Sequence, residues 1–190
     1  MRPTYTRLSA AGYSPWIPVN RLQKAFGLSL GVKFSSNKNL TCTVQYTLDN
    51  INAQKVYAGF DTAFMTQAYS MSRTTTSLTI TKTNHGLSVG DWAMSWGNGG
   101  APLDDEWRAI TSITDQNNFV VTVANSGLTS IAAPAKGWLQ TARVYPHATL
   151  ASLTADASGN LAFPVYAVRL YVSAYTAGYV DLEVLQAIGG

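Results

Sequence analysis

The residues that could do chemistry in this chain are few and scattered. Its two histidines are His85, within Asn84-His85-Gly86, and His147, directly after Pro146. Its single cysteine is Cys42. A zinc site needs three or four ligands at recognisable spacing, so the sequence predicts no metal and no cofactor. Gly86 suits a turn of positive φ, and the expected work of the His85 ring is to bond a nearby backbone group. Cys42 alternates with Leu40, Val44 and Tyr46 and reads as a small buried hydrophobe. A lone thiol also excludes an internal disulfide.

Asp104-Asp105-Glu106 is the acidic cluster. Glycosidase chemistry needs two carboxyls flanking a bond at ~5–9 Å in unlike environments, and three adjacent acids in a polar loop predict a solvated turn instead. No G-x-S-x-G elbow occurs, and Gly97-Asn98-Gly99-Gly100 lacks the Lys-Ser/Thr that completes a phosphate loop. The chain is therefore expected not to be an enzyme.

Three further features await a structure. Trp92 and Trp96 share parity on one predicted strand, and Trp107 follows a loop. That parity fits barrel core, a contact patch or a platform for sugar rings. Arg169 interrupts the apolar run from Phe163 to Val172. A buried arginine needs a carboxylate or several carbonyls; otherwise its face is exposed or covered by another subunit. Asp181 and Glu183 alternate with Val180, Leu182 and Val184, which predicts a cross-strand ion pair in a hairpin around Thr176-Ala177-Gly178.

Strands must position these residues. Phe26, Leu28, Leu30, Val32 and Phe34 lie on one parity, followed by Leu40, Cys42, Val44 and Tyr46. Period-two spacing places each set on one strand face, and the polar Ser35–Asn39 between them predicts a hairpin. Further strands are predicted at Leu78–Lys82, Asp91–Trp96, Trp107–Thr114, Phe119–Ala124, Gly137–Val144, Phe163–Ser173 and Tyr179–Gln186. No segment carries a sustained helical period. The fold class is all-β: an antiparallel β-sandwich, jelly-roll or Ig-like, with an inserted small β-barrel and an extended N-terminal arm.

The arm is residues 1–25, where Pro3, Pro15 and Pro18 disfavour a regular strand. Its apolar Trp16, Ile17 and Val19 require a cover, either the body of this chain or a neighbour. Short strands with Gly/Asn turns make residues 73–137 the inserted barrel, leaving 26–72 plus 138–190 as a discontinuous sandwich. The two ends of the insert must then lie close together.

Composition narrows the function classes. Of 190 residues, 46% are hydrophobic and 12% charged, against roughly 25% charged in an average domain. Hydrophobicity of that order excludes disorder, and no run approaches the ~20 apolar residues of a membrane span. The net charge of +3 is spread thinly, without the clustered Lys and Arg of a nucleic-acid binder. The N-terminus has no apolar signal core, so synthesis in a cytoplasm is expected and the sequon Asn39-Leu40-Thr41 is a chance match.

The run Thr79-Ile80-Thr81-Lys82-Thr83-Asn84-His85-Gly86-Leu87-Ser88-Val89-Gly90-Asp91, with Trp107, Ile110–Ile113 and Asn118-Phe119-Val120-Val121, resembles a small β module of tailed-bacteriophage structural proteins. Its mark is an "HGL…GD" turn pair followed by apolar strands; Trp92 and Trp96 are bulkier than the aliphatic residues of that pattern. The flanks resemble a group of phage virion proteins through Ser14–Val19, Thr43–Asn50 and Pro164–Val172, the last running on to Ser173–Gly178. The resemblance implies a virion structural protein, of the head surface, the neck or the tail. Expected partners are the major capsid protein or neck and tail proteins, with a homo-oligomer, taken as a trimer, seated where capsomers meet. Pro15, Trp16, Ile17, Pro18, Trp92 and Trp96 are the expected assembly contacts. A capsid decoration protein is the leading expectation; a neck or tail component and a carbohydrate- or receptor-binding module using Trp92, Trp96 or Trp107 are the alternatives.

Overall fold

The computed structural model describes residues 3–22, 26–49, 51, 70–96, 107–123 and 138–186. Among the described residues fifteen strands run in chain order. The first five are β1 (Thr4–Leu8), β2 (Gly12–Tyr13), β3 (Ile17–Pro18), β4 (Leu28–Phe34) and β5 (Asn39–Thr47). Next come β6 (Ser70–Arg73), β7 (Ser77–Thr81), β8 (Trp92–Trp96), β9 (Arg108–Asp115), β10 (Asn118–Thr122) and β11 (Trp138–Ala142). The last four are β12 (Tyr145–Pro146), β13 (Ala157–Leu161), β14 (Ala167–Ala177) and β15 (Val180–Gln186). The all-β, antiparallel expectation holds.

The chain divides into two units, a body of Met1–Ile51 with Val144–Gly190 and an insert of Asn52–Arg143. The insert is therefore longer at both ends than residues 73–137, and β6 belongs to it. Its attachment points do lie together, because Tyr145 pairs with Tyr46 on neighbouring antiparallel strands of the body.

The body is a sandwich. One sheet has the order β1-β15-β4-β13; the other has β12-β5-β14-β2, with β3 also on β14. Alternation builds the core between them: Leu28, Leu30 and Val32 of β4 and Val180, Leu182 and Val184 of β15 meet Leu40, Cys42 and Val44 of β5 and Val168, Leu170 and Val172 of β14. Each of these leucines and valines, fully buried, contributes roughly 1.5–3 kcal/mol. Cys42 is buried, and burial pushes its thiol up to about 12.

Two predicted hairpins turn out to be corners. β4 and β5 lie in different sheets, as do β14 and β15, so neither connection folds a strand back on its neighbour. Alternation sets the face a strand buries and leaves its partner open, and both arrangements satisfy it. The two corners are laced together: Ser35 N donates to Tyr179 O at 3.0 Å, and Tyr179 N donates to Ser35 Oγ at 2.9 Å. Asp181 and Glu183 consequently find partners outside the supposed hairpin. Asp181 takes both arms of Arg7 at 2.7 Å, and Glu183 lies 3.6 Å from Lys33 and accepts from Tyr5 Oη at 3.1 Å.

The arm corrects the reading further, since it supplies strands to both sheets. β1 closes the four-stranded sheet against β15, while β2 and β3 line β14. The prolines punctuate these strands: Pro3 precedes β1, Pro15 separates β2 from β3, and Pro18 ends β3 at a sheet edge, where its lack of a donor is tolerated.

The insert is a six-stranded curled sheet, β11-β8-β9-β10-β7-β6. Its core holds Leu78, Ile80, Ile110, Phe119 and Val121. The expected hairpin β9–β10 forms, with two register shifts. Among the described residues its strands form a curled half-barrel.

Gly178 tests the body's corners. Its φ is +88°, and a Cβ there would come within 2.5 Å of Ser35 Oγ and 2.8 Å of the Lys38 backbone. Gly178→Ala is expected to cost about 1–3 kcal/mol in denaturant unfolding; an unchanged midpoint would contradict the interlocked corners.

Candidate functional site

The chemistry-bearing residues gather on the outer face of the five-stranded sheet and at two turns. Arg169 points away from the sandwich core, opposite in parity to Val168 and Leu170, yet it is 0% exposed. The arm covers it. The guanidinium carbon sits 4.2 Å from the Tyr13 ring centre and 4.3 Å from that of Trp16. Its Nε donates to Gln45 Oε1 at 2.8 Å, on the residue directly across the ladder. Tyr13 also stacks on Tyr171, with centroids 4.5 Å apart and planes at 17°.

Burial lowers the Arg169 pKa to about 9, which leaves it a cation at neutral pH. Taking such a charge out of water costs several kcal/mol. Two desolvated cation–π contacts at about 2 kcal/mol each, plus the carboxamide bond, are of the size needed to offset that cost. The expectation of a carboxylate or carbonyl cage missed the rings, although Tyr13 and Trp16 stand in an arm whose apolar residues needed a cover. Burial also raises the Tyr13 phenol, which the neighbouring Arg169 charge pulls back in part.

Backbone bonds complete the clamp. Ser14 is buried; its N–H donates to Leu170 O at 2.9 Å and its Oγ accepts from Leu170 N at 3.0 Å. Val19 N donates to Tyr166 O at 3.1 Å. Asn20 and Gln186 exchange two bonds, at 2.9 and 2.6 Å. Of the expected contact residues in the arm, Ile17 is buried in this chain's own core and Trp16 is half-buried on Arg169. Those two are thus taken up by their own body. Pro15 and Pro18 are exposed.

In the insert, the His85 ring joins two backbone groups. Nδ1 accepts from Leu87 N at 3.0 Å, and Nε2 lies 3.0 Å from Asp115 O, to which its proton is donated. The ring packs edge-on against Phe119. Gly86 has φ +62° and its carbonyl accepts from Arg143 Nη2 at 3.0 Å. Gly90 has φ +92°, which carries the chain into Asp91, whose Oδ2 accepts from Ser88 N at 2.8 Å. The "HGL…GD" residues thus build a pair of turns.

His147 repeats the device in the body. It is buried, its Nδ1 accepts from Thr149 N at 3.2 Å and Leu150 N at 3.3 Å, and Nε2 lies 3.0 Å from Asn160 O. Sequence reasoning left His147 unassigned. Its place beside Pro146 signals a turn, but the strand it reaches, β13 with the sequence ASGNL, has no apolar alternation to announce it.

Trp92 and Trp107 are half-buried at the edge of the insert's core. On β8 it is Ala93 that joins the core cluster; Trp92 has the opposite parity and is half-buried. Trp96 occupies the same strand, in register with Trp138 of β11, as Trp92 is with Ala142. Trp107 is half-buried just before β9. Trp16 and Trp92 belong to different units. Gly97–Gly100 and Asp104–Glu106 lie outside the described residues. No family model, curated protein or solved structure matches the chain.

Asp115 gives the insert a pH dependence. Its carboxylate accepts from Asn118 Nδ2 at 3.0 and 2.8 Å and from Asn117 N at 2.7 Å, and the Asn118 bond first, then that from Asn117, holds its pKa below the ordinary 3.8. A carboxyl that titrates lower when folded stabilises above its unfolded value, and this contribution fades as pH falls through and below it. Amide exchange at Asn117 and Asn118 is expected to speed up, relative to the body, as the pH falls below about 4. In Asp115→Asn this acid step should vanish; its persistence would locate the titration elsewhere.

Proposed function

We propose that this chain is a non-enzymatic structural component of a tailed-phage particle, a capsid decoration protein that binds where capsomers meet. The observation that carries the reading is how its reactive side chains are spent. The rings of His85 and His147 bond backbone at both nitrogens, and Arg169 is enclosed by two aromatic faces. Each holds one segment against another, which is the chemistry of a scaffold.

The "HGL…GD" resemblance supports the same reading, now with a physical content: His85, Gly86, Gly90 and Asp91 shape turns, and Leu87 packs in the core. With Trp16 and Ile17 absorbed by the body, contact with a capsid falls to exposed apolar residues such as Tyr5 (62%), Leu22 (85%) and Leu185 (38%). Copies that bind the assembled lattice and not free subunits stabilise the lattice by mass action. A trimer would suit a three-fold position between capsomers.

Quantitative mass spectrometry of purified particles, paired with binding of the purified chain to heads lacking it, tests this. The expected result is a copy number that scales with the capsomers, with saturable binding weakened by Leu22→Asp. A copy number matching a single ring would overturn decoration in favour of a neck or tail part. Exclusion of the chain from particles would overturn the virion reading altogether.

A further inference from the structure

β13 is the last strand of the body's four-stranded sheet, with β4 as its ladder partner among the described residues. Beside it lies a depression of about 490 Å³, lined among others by Ser29, His147, Thr149, Ser158, Gly159 and Asn160. That volume falls within the roughly 300–1,000 Å³ of small-molecule sites. We infer that this depression is a binding site for a neutral, hydroxyl-rich ligand, a sugar residue of a glycan.

The lining chemistry selects the ligand. Ser29 and Ser158 each carry a hydroxyl that both donates and accepts, Asn160 adds a carboxamide that does the same, and the Thr149 hydroxyl lies 3.4 Å from His147 Nδ1. Among the described residues the lining includes no carboxylate, ammonium or guanidinium, so a charged ligand would lose water without gaining a counter-charge. A purely apolar ligand would strand the hydroxyls. A polyol meets neither penalty, because its own hydroxyls pair with them in either direction.

The site is also preformed. His147 ties its two walls together, accepting from Thr149 N and Leu150 N on one side and donating to Asn160 O on the other. Gly159 allows this approach: a Cβ there would stand 2.9 Å from His147 Cε1 and 3.0 Å from Leu150 Cδ1. His147 is a positioning residue, and the ligand's partners are the hydroxyls and Asn160. Fixed walls remove the ordering cost that a mobile loop would add to binding. The inference does not depend on the decoration reading, since a sugar site would serve a virion protein at any location.

Saturation-transfer NMR with the full chain tests it, using glucose, galactose, mannose and N-acetylglucosamine, free and as short oligosaccharides, with sialyllactose as the charged comparison. At least one neutral sugar is expected to receive saturation, and a response confined to oligosaccharides would mark a polymeric ligand. Ser158 is exposed, so Ser158→Phe fills the depression without entering the core and should abolish the signal. Asn160→Ala should weaken binding about tenfold, the loss of one well-placed polar partner. Silence from every neutral sugar would overturn the site. So would a signal that survives Ser158→Phe or is lost in Trp92→Ala instead, which would move sugar binding to the tryptophan.

Discussion

The body depends on a buried cation. Arg169 stands on the outer face of a central strand, where a guanidinium would ordinarily reach water, and the arm closes over it with Tyr13 and Trp16. Once the charge is enclosed, the arm cannot leave without re-exposing two rings and breaking the Ser14–Leu170 exchange. The same arm then crosses to the other sheet, where Arg7 grips Asp181 and lies 3.8 Å from the Tyr179 ring centre. An exposed ion pair of that kind adds little by itself. It joins the two residues that face each other across the β1–β15 ladder.

A second constraint recurs in both units. His85 and His147 each accept at Nδ1 from the backbone two residues on and meet at Nε2 a carbonyl on a distant segment. One side chain thereby shapes a turn locally and anchors it to a strand. Polar groups placed so near a core must be paired, and a neutral imidazole, with one donor and one acceptor, meets both demands at once. The low charge of the chain fits this economy. Hydroxyls, carboxamides and imidazoles do the holding that ion pairs do in more highly charged domains.

Much of the architecture was legible because alternation reports which face a strand buries. It marked β4, β5, β7, β10, β14 and β15, and the closeness of the insert's ends followed from the order of the elements. It did not report partners. The segments 28–34 and 39–47 are adjacent in sequence and lie in opposite sheets, since a four-residue polar link can turn either a hairpin or a sandwich corner. β13 was invisible, because Ala157-Ser158-Gly159-Asn160 carries too little apolar surface to mark a face. The arm was half legible: its prolines marked where strands stop, and the need to cover Trp16 and Ile17 was plain. That the cover is Arg169 and the core of the same chain depends on a long-range pairing that no local pattern encodes.

The claim at the centre of this account is that Arg169 holds the arm to its own body. Hydrogen exchange of Arg169→Met, followed segment by segment, tests it most directly. Val168, Leu170 and Val172 remain to hold β14 in the core, so the sandwich itself should stay protected. Protection across Gly12–Pro18 is expected to fall sharply while β4 and β15 keep theirs. Unchanged protection of Gly12–Pro18 in that variant would contradict it.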